Sequence, residues 1–272
     1  MKFFTRQGRS KQPDPGKATI VAPPPAFKIE FFGISEVGHV RPNNEDVWSA
    51  VPEKQFFILA DGMGGHQAGE IASSFAVESM CHSIRSLPKN SDIEQACQLI
   101  RQAIARANSK VYDASHSEPN YAGMGTTLSC FLIVDKFLIY AHIGDSRLYR
   151  FRNKIQLLTE DHSLRHTLAK REERSSTSGL LMRNVITRAI GTHASVLPDV
   201  GVIPLYSKDN YMLCSDGLSD YVEEGTIARI LSSSRSLEEM GRNLVESALE
   251  KGGNDNITLL LVRIGDEKNL SG

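Results

Sequence analysis

The sequence predicts an α+β fold, a four-layer α-β-β-α sandwich in which two central antiparallel sheets are flanked by helix pairs. Short apolar runs of strand length are joined by two-residue polar turns, a pattern of antiparallel hairpins. Helical patterns are grouped in pairs instead of alternating with each strand, which argues against a βαβ nucleotide fold. A chain of 272 residues with 40% hydrophobic content is also long enough to bury a large core.

Residues 1–26 form a basic, proline-rich arm: Lys2, Arg6, Arg9, Lys11 and Lys17 face only Asp14, and Pro13, Pro15 and Pro23-Pro24-Pro25 exclude regular structure. A catalytic domain is expected over 27–268. It opens on a strand in which Phe27, Ile29 and Phe31 alternate, and Gln55 to Ala60 forms a second apolar run ending at Asp61. A helix is expected over Gln67–Ile84, with Ile71, Phe75, Ala76, Met80 and Ile84 on one face. The next, Asp92–Ala114, spaces Ile93, Cys97, Ile100, Ile104, Ala107 and Val111 helically. Thr126–Val134 and Phe137–His142 flank Asp135-Lys136 as a hairpin, and Ser146–Arg152 with Ile155–Leu158 repeat this around Asn153-Lys154. After an irregular segment come a strand at Tyr211–Ser215, an amphipathic helix at Leu237–Leu249 and a closing buried strand at Ile257–Ile264.

The formal net charge of −1 gives no general reason to bind nucleic acid or a membrane surface. Phe3-Phe4 is not followed by the apolar stretch of a secretory signal, and Leu128–Ile143, interrupted by Asp135-Lys136, is too short for a membrane helix. Cys81, Cys97, Cys130 and Cys214 form no Cys-x-x-Cys and have no ligand-spaced histidines, so they read as reduced core thiols in a cytoplasmic protein.

The chemistry lies in five aspartates in short motifs: Asp46, Asp61, Asp145, Asp216 and Asp255. Like charges gathered out of water are costly without a cation, so the pattern points to a hard-metal site. At Asp61-Gly62 the carboxylate ends a strand while the chain turns sharply and the glycine carbonyl approaches the same ion. All-oxygen ligation suits magnesium or manganese, and two such ions about 3.5–4 Å apart ionise a shared water for in-line displacement at phosphorus. Arg41, on a Pro42-containing turn, offers a planar fork to two phosphate oxygens. The intrinsic pKa of an imidazole lies near neutrality, so His66 suits the general acid that protonates the leaving alkoxide. Gly123-Met124-Gly125-Thr126-Thr127 lacks the lysine and spacing of a P-loop and reads as small residues entering a packed central strand. His162 is expected to fix a loop.

These motifs, taken in order with Leu158-Thr159-Glu160-Asp161-His162-Ser163 and Asn184-Val185-Ile186-Thr187-Arg188, resemble the metal-dependent protein phosphatases, the PPM or type-2C serine/threonine family, in its bacterial form. The resemblance runs from about Phe27 to Gly265. It implies that Asp61 bridges two metals, that the Gly62 carbonyl joins the second, and that Glu45 and Asp46 act largely through water. Asp216 and Asp255 complete the first metal site. Asp145, with Asp216 and Asp220, matches a third. Arg41 matches the phosphate-binding arginine and Asn256 a residue that orients a ligand or water. In animal relatives the acid histidine directly follows the Asp-Gly pair, whereas here Met63 does and His66 lies further along. The segment 163–183 corresponds to a mobile flap.

The expected activity is Mn2+- or Mg2+-dependent hydrolysis of phosphoserine and phosphothreonine on proteins by direct attack of a metal-bridging water, since no Cys-x5-Arg nucleophile motif is present. Expected partners are phosphorylated proteins, including a bacterial Ser/Thr kinase and its substrates, with no nucleic acid and no membrane. Competing readings are a partner-switching phosphatase acting on an anti-sigma antagonist, an inactive phosphoprotein-binding scaffold and a two-metal nuclease.

Overall fold

The computed structural model describes residues 27–64, 68–164, 185–233 and 235–267. The basic arm, His66 and nearly all of the expected flap lie outside these residues. Two antiparallel sheets stack face to face. One has the order β1 (Phe27–Glu36), β11 (Ile257–Glu267), β10 (Asn210–Cys214), β7 (Arg147–Arg152), β8 (Lys154–Leu157). The other has the order β2 (Asp46–Val51), β3 (Phe56–Met63), β5 (Leu128–Val134), β6 (Phe137–Ile143), β9 (Asp199–Pro204), with β4 (Gly125–Thr126) pairing antiparallel with the end of β3.

Alternation along the strands builds three apolar layers. In β3, Phe56, Ile58 and Ala60 face α1 (Ala68–Arg85) and α2 (Ile93–Ser117), while Phe57 and Leu59 face the other sheet, so the whole run is buried. Phe57, Phe131, Leu148, Tyr211 and Leu260 fill the space between the sheets. Each fully buried aromatic there contributes about 2–3 kcal/mol of transfer free energy. On the far face, Tyr149, Met212 and Leu261 pack against α4 (Glu224–Leu231) and α5 (Leu237–Leu249). The four layers are those read from the sequence.

Local chemistry explains the boundaries. Asp92 caps α2: its Oδ1 accepts from Gln95 N at 2.8 Å and Gln95 Oε1 accepts from Asp92 N at 3.2 Å, a capping box worth about 1 kcal/mol. Ser236 and Glu239 do the same for α5. The two expected hairpin turns form with Asp135 (φ 53°) and Asn153 (φ 61°) left-handed, a conformation short polar side chains tolerate. On α1 the buried stripe is Ala72, Ala76, Val77, Met80 and Ile84, while Ile71 and Phe75 are only half-buried. Strand β9 falls where the sequence reads as irregular, and helix α4 lies between two expected elements in a stretch assigned none. β9 is an edge strand with little alternation in burial, whereas α4 buries Ile227, Ile230 and Leu231 at helical spacing over only eight residues, a period too short to stand out.

Candidate active site

The loop between β1 and β2, the end of β3, the start of α3 (Asp216–Ser219) and the turn before β11 meet at one end of the sandwich. They enclose a cavity of about 190 Å³ lined by Arg41, Glu45, Asp61, Gly62, Asp216, Asp255 and Asn256, together with Met63, Gly64 and Ile186. Residues as far apart in sequence as Arg41 and Asn256 thus share one wall because β2, β3, β10 and β11 all bring an end to this edge.

Asp46 and Asp61 stand opposite each other across the β2–β3 ladder. Asp46 is buried just behind the cavity. Its Oδ2 accepts from Ser215 Oγ at 2.8 Å, while its Oδ1 has no partner. Burial raises Asp46 to about 7 against the pull of the Thr258 and Ser215 hydroxyls, with the charges of Asp216 and Asp255 adding to the rise. Asp61 is held well above the ordinary carboxylate range, by burial first and then by Asp46, Asp216, Asp145 and Asp255. Asp216 is pushed up to about 6 by burial and then by Asp255 and Asp220, with the hydrogen bond to Asp61 and the charge of Arg41 opposing. Asp145 lies away from the lining. It is buried, its Oδ1 is without a partner, and burial followed by the charges of Asp216, Asp161 and Asp220 raises it to about 7. Asp220 is exposed.

The Asp61-Gly62 pair is not at a sharp turn. Strand β3 runs on to Met63 and pairs there with β4. Glycine is required by crowding instead: a Cβ on Gly62 would meet Gly69 O at 2.1 Å, and one on Gly217 would meet Asn256 O at 2.0 Å. The close approach of α1 to this strand is also fixed by Ser73 Oγ, which donates to Glu45 O at 2.7 Å, and by Gly62 N, which donates to the same carbonyl at 3.0 Å.

Arg41 Nη2 donates to Asp255 Oδ2 at 2.8 Å, which raises the guanidinium further and anchors one side of the fork at the cavity wall. Asn256 fastens the loop that carries Arg41. Its Oδ1 accepts from Glu45 N at 2.8 Å, and its Nδ2 donates to Val37 O at 3.0 Å and Asn43 O at 2.9 Å. Desolvation raises Glu45.

The hold of Thr126 and Thr127 on Asp61 has no counterpart in the sequence reading. Thr127 Oγ1 accepts from Asp61 N at 2.9 Å, Thr127 N donates to Asp61 O at 2.8 Å, and Thr126 Oγ1 donates to the same carbonyl at 2.9 Å. The Thr126-Thr127 pair therefore enters a packed strand, as expected, and also grips the backbone of Asp61 on both sides. Their signal was two adjacent hydroxyls after a glycine-rich stretch, which packing alone does not need. His162 Nδ1 accepts from Gly144 N at 3.1 Å and its Nε2 lies 3.0 Å from Asp199 Oδ2, so the ring holds the turn before Asp145.

Two buried carboxylate oxygens without a donor, in a nest of acids that raise one another, constitute a donor set suited to hard divalent cations. Among the described residues, no three His, Cys, Asp or Glu side chains are clustered as a ready-made cage. Magnesium does not require one, because it takes one or two carboxylates and keeps several waters. A larger groove of about 590 Å³, lined by Ser49, Glu78, His82, Arg85 and Lys110 among others, lies elsewhere, and its Glu78–Lys110 pair at 3.3 Å is already balanced.

An acid cluster beside an anchored arginine, set at the end of a double antiparallel sandwich, suits the hydrolysis of phosphate esters. The family profile described as Protein phosphatase 2C matches residues 39–261. The chain is 36% identical over 231 residues to the serine/threonine phosphatase stp of Listeria monocytogenes, covering 83% of this chain and 92% of that one. It is similar to the S. agalactiae serine/threonine phosphatase structure, with 34% identity, a TM-score of 0.81, and coverage of 87% and 100%. The structure of the catalytic domain of the serine threonine protein phosphatase PstP, in complex with two manganese ions, matches with 34% identity, a TM-score of 0.76, and coverage of 88% and 99%. The chain belongs to the protein phosphatase 2C family, in its bacterial form. It is a serine/threonine protein phosphatase, and these findings do not favour the partner-switching or scaffold readings.

Proposed function

We propose that Asp46, Asp61, Asp216, Asp255 and the Gly62 carbonyl hold two manganese or magnesium ions, with a third at Asp145 and Asp220, and that Arg41 binds the phosphate of a phosphoserine or phosphothreonine. The observation that carries this is the set of raised aspartates: Asp61 and Asp216 in the wall of the cavity that bears Arg41, and Asp46 and Asp145, each with an orphaned oxygen, buried behind it. When bound, divalent ions supply an ionised water at neutral pH and screen the charge of the phosphoryl group.

The chain's own groups do the rest. Asp255 fixes one edge of the Arg41 guanidinium, which aligns the fork for two phosphate oxygens. Asn256 ties Arg41 and Glu45 to the turn that bears Asp255, so the phosphate clamp and the acids move as one unit. Thr126, Thr127 and Ser215 hold Asp61 and Asp46 in place before substrate arrives, which lowers the reorganisation needed during reaction. His66 is the group assigned to protonate the leaving alkoxide. A thiol nucleophile has no support: burial pushes Cys130 and Cys214 up to about 12, and no cysteine lines the cavity. Direct hydrolysis follows.

A bacterial Ser/Thr kinase and its substrates are the proposed partners, and a reducing, cytoplasmic compartment is proposed from four free cysteines. No helix among the described residues is long and apolar enough to cross a membrane. The test is release of phosphate from a phosphothreonine peptide with manganese, with and without chelator. Chelation and Asp61→Asn or Asp255→Asn are each expected to lower kcat at least about 100-fold, the scale of losing a directly acting charge stabiliser. Full turnover in either variant, or in chelator, would refute the assignment.

A further inference from the structure

Asp145 is buried with its Oδ1 lacking a partner, so the turn Gly144-Asp145-Ser146 decides where that oxygen lies. After Asp145 the turn is fastened by hydroxyls: Ser146 Oγ meets Thr127 Oγ1 at 2.7 Å, and Ser146 O accepts from Ser129 Oγ at 2.9 Å. Before it, Gly144 is left-handed (φ 106°), and a Cβ there would meet Thr127 Cγ2 at 2.6 Å, so the turn presses on the same threonine that grips Asp61. Both backbone polar groups of Gly144 go to one residue. Gly144 O accepts from His162 N at 2.7 Å, and Gly144 N donates to His162 Nδ1 at 3.1 Å.

That last bond forms only while Nδ1 is bare, which assigns the imidazole proton to Nε2. Nε2 lies 3.0 Å from Asp199 Oδ2 and donates to it. Arg188 Nη1 is also 3.0 Å from Nε2, which sets two donors face to face. The Asp199 carboxylate settles this by taking both, since Arg188 Nη1 donates to its Oδ1 at 2.8 Å. Arg188 is held in turn by Leu197 O at 3.2 Å. Asp199 stands opposite His142 in the β6–β9 ladder, and the His142 ring packs on that of His162 at 4.8 Å between centroids. Without the Asp199 carboxylate, Arg188 would donate to Nε2 and the imidazole proton would move to Nδ1. The N–H groups of His162 and Gly144 would then oppose each other.

We propose that His162, Asp199 and Arg188 are a positioning set for the third cation: Asp199 selects the His162 tautomer, and the bare Nδ1 holds Gly144 and with it the Asp145 carboxylate. This rests on the third-ion site at Asp145 proposed above. None of the three side chains lines the acid cavity. The Arg188–Asp199 pair is partly exposed, and such pairs add little to stability, so loss of Asp199 acts on orientation instead of folding. Polar groups that orient metal ligands set metal affinity by about 10–100-fold.

The test has readouts that need no turnover. In chelator, nitrogen NMR is expected to place the His162 proton on Nε2 in the parent and on Nδ1 in Asp199→Ala. Titration with Mn2+, followed by the EPR signal of the free ion, is expected to show the weakest of three sites about ten-fold weaker in Asp199→Ala and in His162→Phe. Asp199→Asn is expected to bind like the parent, because its amide oxygen has lone pairs for both Nε2 and Arg188, and so is His162→Asn, which keeps an acceptor where Nδ1 stood. Asp199 is exposed, so Asp199→Ala carries the test alone if His162→Phe, at a buried position, fails to fold. A proton on Nδ1 in the parent, or parent-like binding at the weakest site in Asp199→Ala, would overturn the proposal. Equal weakening in Asp199→Asn and Asp199→Ala would make charge the cause and overturn it too. A parent that binds only two ions would remove the third site and this proposal while leaving the two-ion reading; one that binds none would sink that reading as well.

Discussion

Asp145→Asn is expected to stabilise the protein in chelator while weakening it in manganese. Burial, followed by Asp216, Asp161 and Asp220, raises the Asp145 carboxyl from 3.8 to about 7. That difference amounts to about 4 kcal/mol against the ionised side chain well above pH 7. The folded state therefore holds its proton to higher pH than the unfolded state. Stability in chelator is fullest below the unfolded value of 3.8 and falls as pH rises through about 7. Asparagine does not ionise, so this fall disappears. It leaves a buried amide in place of an oxygen that already lacks a partner, at a cost of about 1–2 kcal/mol. The net gain is about 2 kcal/mol at pH about 7.5 and turns into a loss near pH 4, by the same linkage. Urea unfolding in chelator at both pH values measures it. With excess manganese at about pH 7.5 the order reverses, because a cation that binds only the folded parent adds to its stability. A variant no more stable than the parent in chelator at about pH 7.5 would refute the reasoning.

Asn256→Ala removes the partners of Glu45 N, Val37 O and Asn43 O. It is expected to cost about 2–4 kcal/mol in urea unfolding and to lower kcat/KM for a phosphopeptide at least about ten-fold, because the loop bearing Arg41 loses its fastening. His142 is fully buried, and burial followed by the charge of His162 holds it down at about 4. The unfolded chain thus binds a proton that the folded one refuses between pH about 6.5 and 4, and stability drops across that window by up to about 1.4 kcal/mol per pH unit. His142→Phe is expected to flatten this slope, as read by unfolding midpoints at several pH values; an unchanged slope would place the acid lability elsewhere.

Sequence by itself determined a great deal here. Short apolar runs marked β5, β6, β7 and β10, the helical period marked α2 and α5, and the small polar turns at Asp135 and Asn153 paired the strands. These are local effects: each depends on residues within a turn or two of one another, so the order of the chain displays them. The acids proposed for the metal site were visible there too, because Asp46, Asp61, Asp145, Asp216 and Asp255 each sit in a short motif.

Tertiary structure alone decided what those acids meet. Asn256 as the fastener of the Arg41 loop, Ser215 on Asp46, and Thr126 and Thr127 on Asp61 act across 213, 169 and 66 positions of sequence. No local period records such pairings. Gly62 illustrates the same limit. Sequence suggests a turn, but the glycine is needed because α1 presses on an extended strand, a crowding that exists only once the layers are stacked. The raised carboxyl pKa values have the same origin, since burial and like charge arise only when distant strand ends converge.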